Sequence, residues 1–427
     1  MAIDILAETE KLLKKIQKPS LTLGQKTALD AMLAGENVFL TGNAGTGKSF
    51  VLQEFLKCVR RKNIITCAPT GIAALRLRKG TTIHRAFHLP FLQAYDFREH
   101  NHPTEEILNA DIIIIDEISM CRVDLFDYIA EIIFEAEEKS GKPKQVIVVG
   151  DFFQLPPVLR SDERTVLRYK YPNIQAGFCF AGVNWSRFNF KPFVLTEVIR
   201  QNDTDYIEML NLARRGNPEC LQYFNDCKLD YKAEGGGICL VPTNAKATAI
   251  NKTMLSRLDG DASIFVAKQD GVVNVGDKTA DDELVLKKGA RVIALCNSQT
   301  YRNGQIGTVK KIHDTHVSVE WDNGHRSDVE PHDWQIMKPK WDGEIIKHEV
   351  IGTFSQIPLR LAYAITIHKS QGQTYAKANV DPACFDIGQL YVALSRCESI
   401  EGLSLMRKIY PSALRTSPEV CDFYDNL

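Results

Sequence analysis

The 427-residue chain is 44% hydrophobic and 25% charged, an ordinary balance for a soluble globular protein with two or three domains. Its 52 Lys and Arg nearly cancel 53 Asp and Glu, so net charge does not advertise a nucleic-acid binder, although a local basic channel needs no net charge. The eleven Cys form no C-x-x-C pair and no Cys/His cluster at zinc spacing, which argues against a zinc module and points to a reduced, intracellular protein, cytoplasmic if bacterial.

The first residues, Met1-Ala2-Ile3-Asp4, have no basic stretch leading into an apolar run, so no secretory signal is expected. No apolar run approaches transmembrane length, so no membrane partner is expected. Residues 3–17 read as a short amphipathic helix ended by Pro19. Gln25 follows; its amide donates and accepts at once, which suits either an adenine edge or an exposed helix start.

Asn37 to Thr41 reads as a buried strand and Phe50 to Leu56 as a helix. Between them, Gly42-Asn43-Ala44-Gly45-Thr46-Gly47-Lys48-Ser49 fits G-x-x-x-x-G-K-[ST]. The glycines let backbone N–H groups approach phosphate, and the helix start adds a positive dipole end. Lys48 is placed to reach the β- and γ-phosphates and Ser49 to sit on Mg²⁺.

Asn63 to Ala68 is a second strand, running into Pro69-Thr70-Gly71. A hydroxyl and free N–H groups at a helix start suit the phosphates of a nucleic-acid strand. Thr82-Ile83-His84-Arg85-Ala86-Phe87 interleaves polar, basic and aromatic groups, as a single-strand track requires, though a His in such a run is also often structural. Residues 88–106 have no clear period and read as an exposed excursion, a hairpin or wedge.

Ile112 to Ile115 reads as a strand buried on both faces, ending in Asp116-Glu117 at the edge where α/β sheets bind ligands. Asp116 is expected to hold Mg²⁺, and Glu117 to accept the proton of the attacking water. Asp124 to Lys139 is a helix and Gln145 to Val149 a strand, after which Gln154 faces either the γ-phosphate or its own loop. Leu195 to Gln201 opens a second domain, with helices over 205–216 and 218–227 and a tight turn at 235–237. Ile238 to Asn244 repeats the strand-into-Pro-Thr device, bringing Thr243 and Asn244 to a strand end.

Residues 261–345 alternate Val, Ile and Thr with Gly and Asn turns, which predicts a small β-barrel. Trp321, Trp334 and Trp341 are expected in its core or rim. Thr366, His368, Lys369, Ser370, Gln371 and Gly372 crowd groups that meet phosphate into one span. Gln389 to Leu394 is an amphipathic helix leading to Arg396, which, like Arg200, is either a surface residue or a cation placed across a cleft from a triphosphate.

Taken in order, these motifs resemble superfamily 1 helicases, and among them the Pif (petite integration frequency) helicases of class B, over almost the whole stretch from Gln25 to Arg396. The specific segments are Gly42–Ser49, Ala68–Ala73, Thr82–His84, Asp116–Met120, Asp124–Asp127, Gly150–Pro157, Thr366–Gly372 and Tyr391–Arg396. RecD-like and Dda-like helicases share the order but match less well at Ile118–Met120 and Phe152–Pro157.

The resemblance implies an α/β fold of two RecA-like domains with parallel sheets clamping ATP. The first would span 1–194 with a wedge at 88–106, and the second 195–260 and 346–427, interrupted by a barrel of the Src-homology-3 kind over 261–345. It implies that Gln25 meets adenine, that Gly42, Asn43, Ala44, Gly45, Thr46, Gly47, Lys48, Ser49 and Gly372 line the nucleotide, and that Ser49 and Asp116 hold Mg²⁺. Lys48, Glu117, Gln154, Arg200 and Arg396 would be catalytic. Pro69, Thr70, His84, Thr243, Asn244, Thr366, His368 and Lys369 would lie along single-stranded DNA. Translocation 5′ to 3′, action at single/double-strand junctions, an option on G-quadruplex DNA and activity as a monomer come from the resemblance, not from spacing.

Two features depart from the pattern: Glu197 stands where a neutral polar residue is expected, and the long N-terminal extension of many eukaryotic members is missing. Among other classes, a GTPase switch would carry [NT]-K-x-D, which is lacking. The motor subunit of a nuclease complex and a translocase that unwinds poorly remain as alternatives.

Overall fold

Four consecutive isoleucines have no polar face to turn to water, and Ile112–Ile115 is the central strand of a sheet covered on both sides. The computed structural model describes residues 21–427 apart from 75–76, 91–93, 173, 200–202, 231–236, 275–277 and 342–345. The expected helix over 3–17 and most of the turn at 235–237 lie outside the described residues.

The first sheet contains β1 (Val38–Gly42), β2 (Ile64–Ala68), β3 (Thr81–Thr82), β4 (Ile112–Ile115), β5 (Gln145–Val149) and β6 (Lys191–Leu195). All run parallel, in the order β3-β2-β4-β5-β1-β6. The strand order reverses around β1, so the loops after β1, β4 and β5 converge at one edge, the place where such sheets hold ligands. The helix Val123–Ser140 covers one face with Ile129, Ile132, Ile133 and Ala136 buried. The helices Leu23–Leu33 and Lys48–Cys58 cover the other with Ala28, Met32, Val51 and Phe55.

A second parallel sheet has four strands, in the order Ala364–Thr366, β7 (Ile238–Val241), Ala378–Val380 and Leu403–Leu405. The expected helices appear as Thr204–Arg214 and Cys220–Asn225. Between β7 and Ala364 lies an antiparallel insertion that forms three sheets among its described residues rather than one closed barrel, and its five-stranded sheet packs on Trp321, Val309, Val319 and Leu359. Trp321 is in its core and its indole N–H donates to Ser327 at 2.7 Å; Trp334 packs at its rim. The side chain of Trp341 lies outside the described residues.

The insertion runs past the expected limit of 345. Ile346–Gln356 pairs with His332–Trp341, and Leu359–Leu361 pairs with Arg291–Ala294. The helix Pro418–Asp425, expected with the second domain, packs Val420, Phe423 and Tyr424 into the aromatic core of the first, where Phe423 stacks on Phe180 at 4.2 Å.

The 88–106 excursion is less exposed than expected, and no strand forms among its described residues. Leu89 and Tyr95 are buried. The Tyr95 N–H donates to Asp124 at 2.7 Å and its hydroxyl to the Pro90 carbonyl at 2.5 Å. Asp127, from the same helix turn, accepts from the Tyr171 hydroxyl at 2.9 Å and the Asn184 N–H at 2.9 Å. The two buried acids of Asp124–Asp127 thus anchor neighbouring loops. No helix among the described residues is long and apolar enough to cross a membrane.

Candidate active site

The loop after β1 turns through three glycines with positive φ, Gly42 at 141°, Gly45 at 83° and Gly47 at 79°. A Cβ on Gly42 would stand 2.2 Å from the Leu195 carbonyl, so only glycine lets the loop leave the sheet beside β6. The Lys48 ammonium curls back onto the carbonyls of Gly42 at 2.7 Å and Asn43 at 3.0 Å. Burial pushes its proton affinity down, while Asp151, Glu117 and Asp116 pull the other way.

Gln25 is not an exposed helix start; it is 1% exposed. Its Oε1 accepts from the Thr22 N–H at 3.1 Å in a capping box, and its Nε2 donates to the Thr46 carbonyl at 3.0 Å. It therefore braces the phosphate loop from behind.

Across the cleft from Lys48, the carboxylate of Asp116 accepts from the Glu117 N–H at 2.8 Å. Glu117 itself holds φ 51°, a left-handed conformation that costs a non-glycine residue energy. Its Oε2 accepts from Gln371 Nε2 of the second domain at 3.2 Å. Gln154 is buried, and its N–H donates to the Asp151 carbonyl at 2.9 Å.

Arg396 enters from the second domain. Its Nε donates to Val392 O at 2.8 Å, its Nη2 to Ser395 Oγ at 2.8 Å and its Nη1 to Gln373 O at 3.2 Å. Its guanidinium is thus oriented by its own helix and by the loop that carries Gly372. Lys48, Asp116, Glu117, Gln154 and Arg396 line one cleft of about 970 Å³ with Ala44, Gly45, Gly47, Ser49, Gly150, Gly372 and Ile199, whereas Gln25, Gly42, Asn43 and Thr46 are not among its lining residues. Phe50, Gln53, Lys57, Leu77 and Arg78 also line it; nothing in their local sequence marked them. Arg200 lies outside the described residues, although the N–H of its neighbour Ile199 donates to the Gly45 carbonyl at 3.0 Å. Ser49 and Asp116 offer two hard oxygens at this cleft, a donor set suited to Mg²⁺, which takes few protein ligands and keeps water and phosphate oxygens.

Two further grooves are lined by residues just after Gln154. One, of about 620 Å³, is lined by Pro69, Thr70, His84, Tyr95 and Arg122. The other, of about 490 Å³, is lined by Arg164, Arg168 and His368. They share Pro157 and Val158.

Thr70 and Thr243 each accept a helix-start N–H at 3.3 Å, from Ala73 and Lys246, which leaves the hydroxyl proton for another acceptor. Thr366 accepts in the same way from Lys369 at 3.4 Å. Asn244, exposed beside Thr243, opens the helix Asn244–Ser256. His84 Nε2 is 2.9 Å from the Tyr95 hydroxyl, and burial, with Arg122 nearby, pushes its imidazole down to about 4. At neutral pH it is an uncharged hydrogen-bonding group. Burial likewise lowers His368 and Lys369.

The PIF1-like helicase family model matches residues 20–216, a span that includes the phosphate loop, Asp116, Glu117, Gln154 and Thr70. The ATP-dependent DNA helicase Pif1 of Campylobacter jejuni is 31% identical, with 93% of this chain and 96% of that protein aligned. The chain belongs to the PIF1-like helicase family. Another member, the ATP-dependent DNA helicase PIF1 of Emericella nidulans, is 30% identical over 99% of this chain, which spans 65% of that protein's length. Among solved members, Bacteroides Pif1 bound to ssDNA superposes with a TM-score of 0.78 at 32% identity, covering 96% of this chain and 97% of that one. The same Pif1 in complex with ADP-AlF3 and ssDNA gives 0.77, at 32% identity and the same coverages.

Proposed function

We propose that this chain is an ATP-dependent DNA helicase that moves 5′ to 3′ on single-stranded DNA and separates the duplex ahead of it. One observation carries the reading: the short segment Gln154–Val158 lines the cleft of Lys48, Glu117 and Arg396 at Gln154 and the groove of Thr70 and His84 at Pro157 and Val158. A change at Gln154 has only three residues to travel before it reaches the groove. Membership of the PIF1-like family supports the activity.

ATP is the substrate of the cleft. Lys48 and the loop N–H groups bind its phosphates, with adenine toward the Gln25 side. Ser49 and Asp116 would hold Mg²⁺, which would supply charge neutralisation on the phosphates. Glu117 takes the proton of the attacking water. Gln154 contacts the transferred phosphoryl group, and Arg396, with Arg200, balances the charge that develops on it.

Cleft closure brings the two sheets together, and product release parts them. Pro69, Thr70 and His84 on one domain and Thr243, Asn244, Thr366, His368 and Lys369 on the other grip successive phosphates in turn. Contacts of this kind read backbone rather than base and act at any single/double-strand junction, G-quadruplex DNA included, and one copy of the chain carries all of them.

The test is ATP-dependent unwinding of partial duplexes bearing a 5′ or a 3′ single-stranded tail, with Lys48→Ala as control. Unwinding of the 5′-tailed duplex alone, lost in the control, is the expected result. Unwinding from the 3′ tail alone would overturn the polarity. DNA-stimulated hydrolysis with neither duplex opened would leave a translocase or a motor subunit.

A further inference from the structure

Asp151 is fully buried, and none of the hydrolysis steps above uses its carboxylate. Arg214, at the end of the helix Thr204–Arg214 of the second domain, grips it with both arms, Nη2 at 2.8 Å from Oδ1 and Nε at 3.2 Å from Oδ2. The same guanidinium lies over the rings of Phe153 at 4.1 Å and Tyr424 at 5.0 Å. The Tyr391 hydroxyl, from the helix Gln389–Leu394, donates to Asp151 Oδ2 at 3.4 Å. That hydroxyl also accepts the N–H of Ala44, inside the phosphate loop, at 2.9 Å. Tyr424 closes the ring: its hydroxyl reaches Asp151 Oδ1 at 3.5 Å and accepts from the Phe152 N–H at 3.2 Å. Burial works against the charge on Asp151, but Arg214 and then Lys48 hold its carboxyl below the usual range.

Three residues far apart in the chain, Arg214, Tyr391 and Tyr424, therefore converge on one carboxylate, and Tyr391 ties it to the phosphate loop. A buried ion pair of this kind adds little net stability, because desolvation offsets most of its attraction. What it does supply is geometry, since a bidentate fork tolerates little rotation. Tyr391 is five residues before Arg396 and on the helix that orients it.

We propose that Asp151 and Tyr391 form a positioning hub that sets the seat of the helix Gln389–Leu394, and with it Arg396, against the phosphate loop. The hub deepens the helicase reading and rests on it. One phenol links the backbone of the phosphate loop at Ala44 with the helix that leads to Arg396, so the two are registered before the chemistry begins. Tyr391 and Arg214 are positioning residues; neither touches the reacting atoms.

The test is steady-state ATP hydrolysis on saturating single-stranded DNA by the full chain and two variants, with thermal melts as the check on folding. Tyr391→Phe keeps the ring and removes the hydroxyl; Arg214→Lys keeps the charge and removes the fork. Both are expected to lower kcat by about tenfold or more while the KM for ATP stays within about twofold, the signature of a misplaced transition-state group rather than lost substrate binding. A raised KM with kcat unchanged would overturn the proposal, because Tyr391 would then only shape the loop for binding. Unchanged constants in both variants would overturn it too. If wild type lacks DNA-stimulated hydrolysis, the helicase reading falls and takes the hub with it. Active wild type beside unaffected variants sinks the hub alone.

Discussion

Glu117 is the residue where backbone and chemistry meet. Its left-handed conformation turns the carboxylate off the end of β4 and toward Gln371, while Asp116 beside it stays folded back on the Glu117 N–H. Two adjacent acids thereby acquire different surroundings, as the separate tasks proposed for them require. Glu117→Gln keeps the shape and removes the carboxylate proposed as the base. DNA-stimulated phosphate release should fall on the order of 10²- to 10⁴-fold with nucleotide affinity retained, and loss of nucleotide binding instead would remove Glu117 from the base role.

His84 gives a second expectation at this scale. Its folded imidazole titrates near 4, below the unfolded value of about 6.5, so the unfolded chain binds the extra proton first as pH falls. Stability is therefore whole above about 6.5 and is lost as pH drops toward 4. His84→Gln should flatten that part of the melting-temperature profile against pH, and an unchanged slope would show that another group carries it.

At the scale of elements, local signals read well and distant pairings do not. The phosphate loop and the four isoleucines of β4 were legible because each is set by adjacent residues: glycines where φ is positive, unbroken apolar side chains where both sheet faces are covered. For Gln25 the sequence leaves an adenine contact and an exposed helix start both open, and burial removes only the second; its partner Thr46, 21 positions on, is not visible in the local sequence. The limit at 345 failed for a related reason: antiparallel pairing carries Leu359–Leu361 into the insertion, and no composition change marks that return. The Asp151–Arg214 pair joins positions 63 apart, and Tyr391 reaches Asp151 across 240. No window along the chain contains both ends.

One element junction is exposed to a single atom. Gly388, at the start of the helix Gln389–Leu394, has φ 70°, and a Cβ there would lie 2.5 Å from the carbonyls of both Phe153 and Gln154. Gly388→Ala should push that helix off the Gln154 segment, at about 1–3 kcal/mol for the backbone conformation alone. The expected outcome is a lower melting temperature together with weaker stimulation of hydrolysis by DNA. A variant that melts and hydrolyses like wild type would show that the junction yields.

At the scale of the whole molecule, the second parallel sheet is not a consecutive stretch of chain. The strand Ala364–Thr366 sits beside β7 although the insertion separates them, and the helix Pro418–Asp425 lies against the first sheet's aromatic cluster. That last placement has a consequence for synthesis. Phe39 and Phe152 emerge early, yet their partner Phe423, at 6.0 and 5.6 Å, is made almost 400 and almost 300 residues later, respectively. The nascent first domain must wait on the ribosome with part of its aromatic core unsealed. Its final closure is then a contact of high sequence separation, and the apolar surface it covers stays open to other partners until it forms.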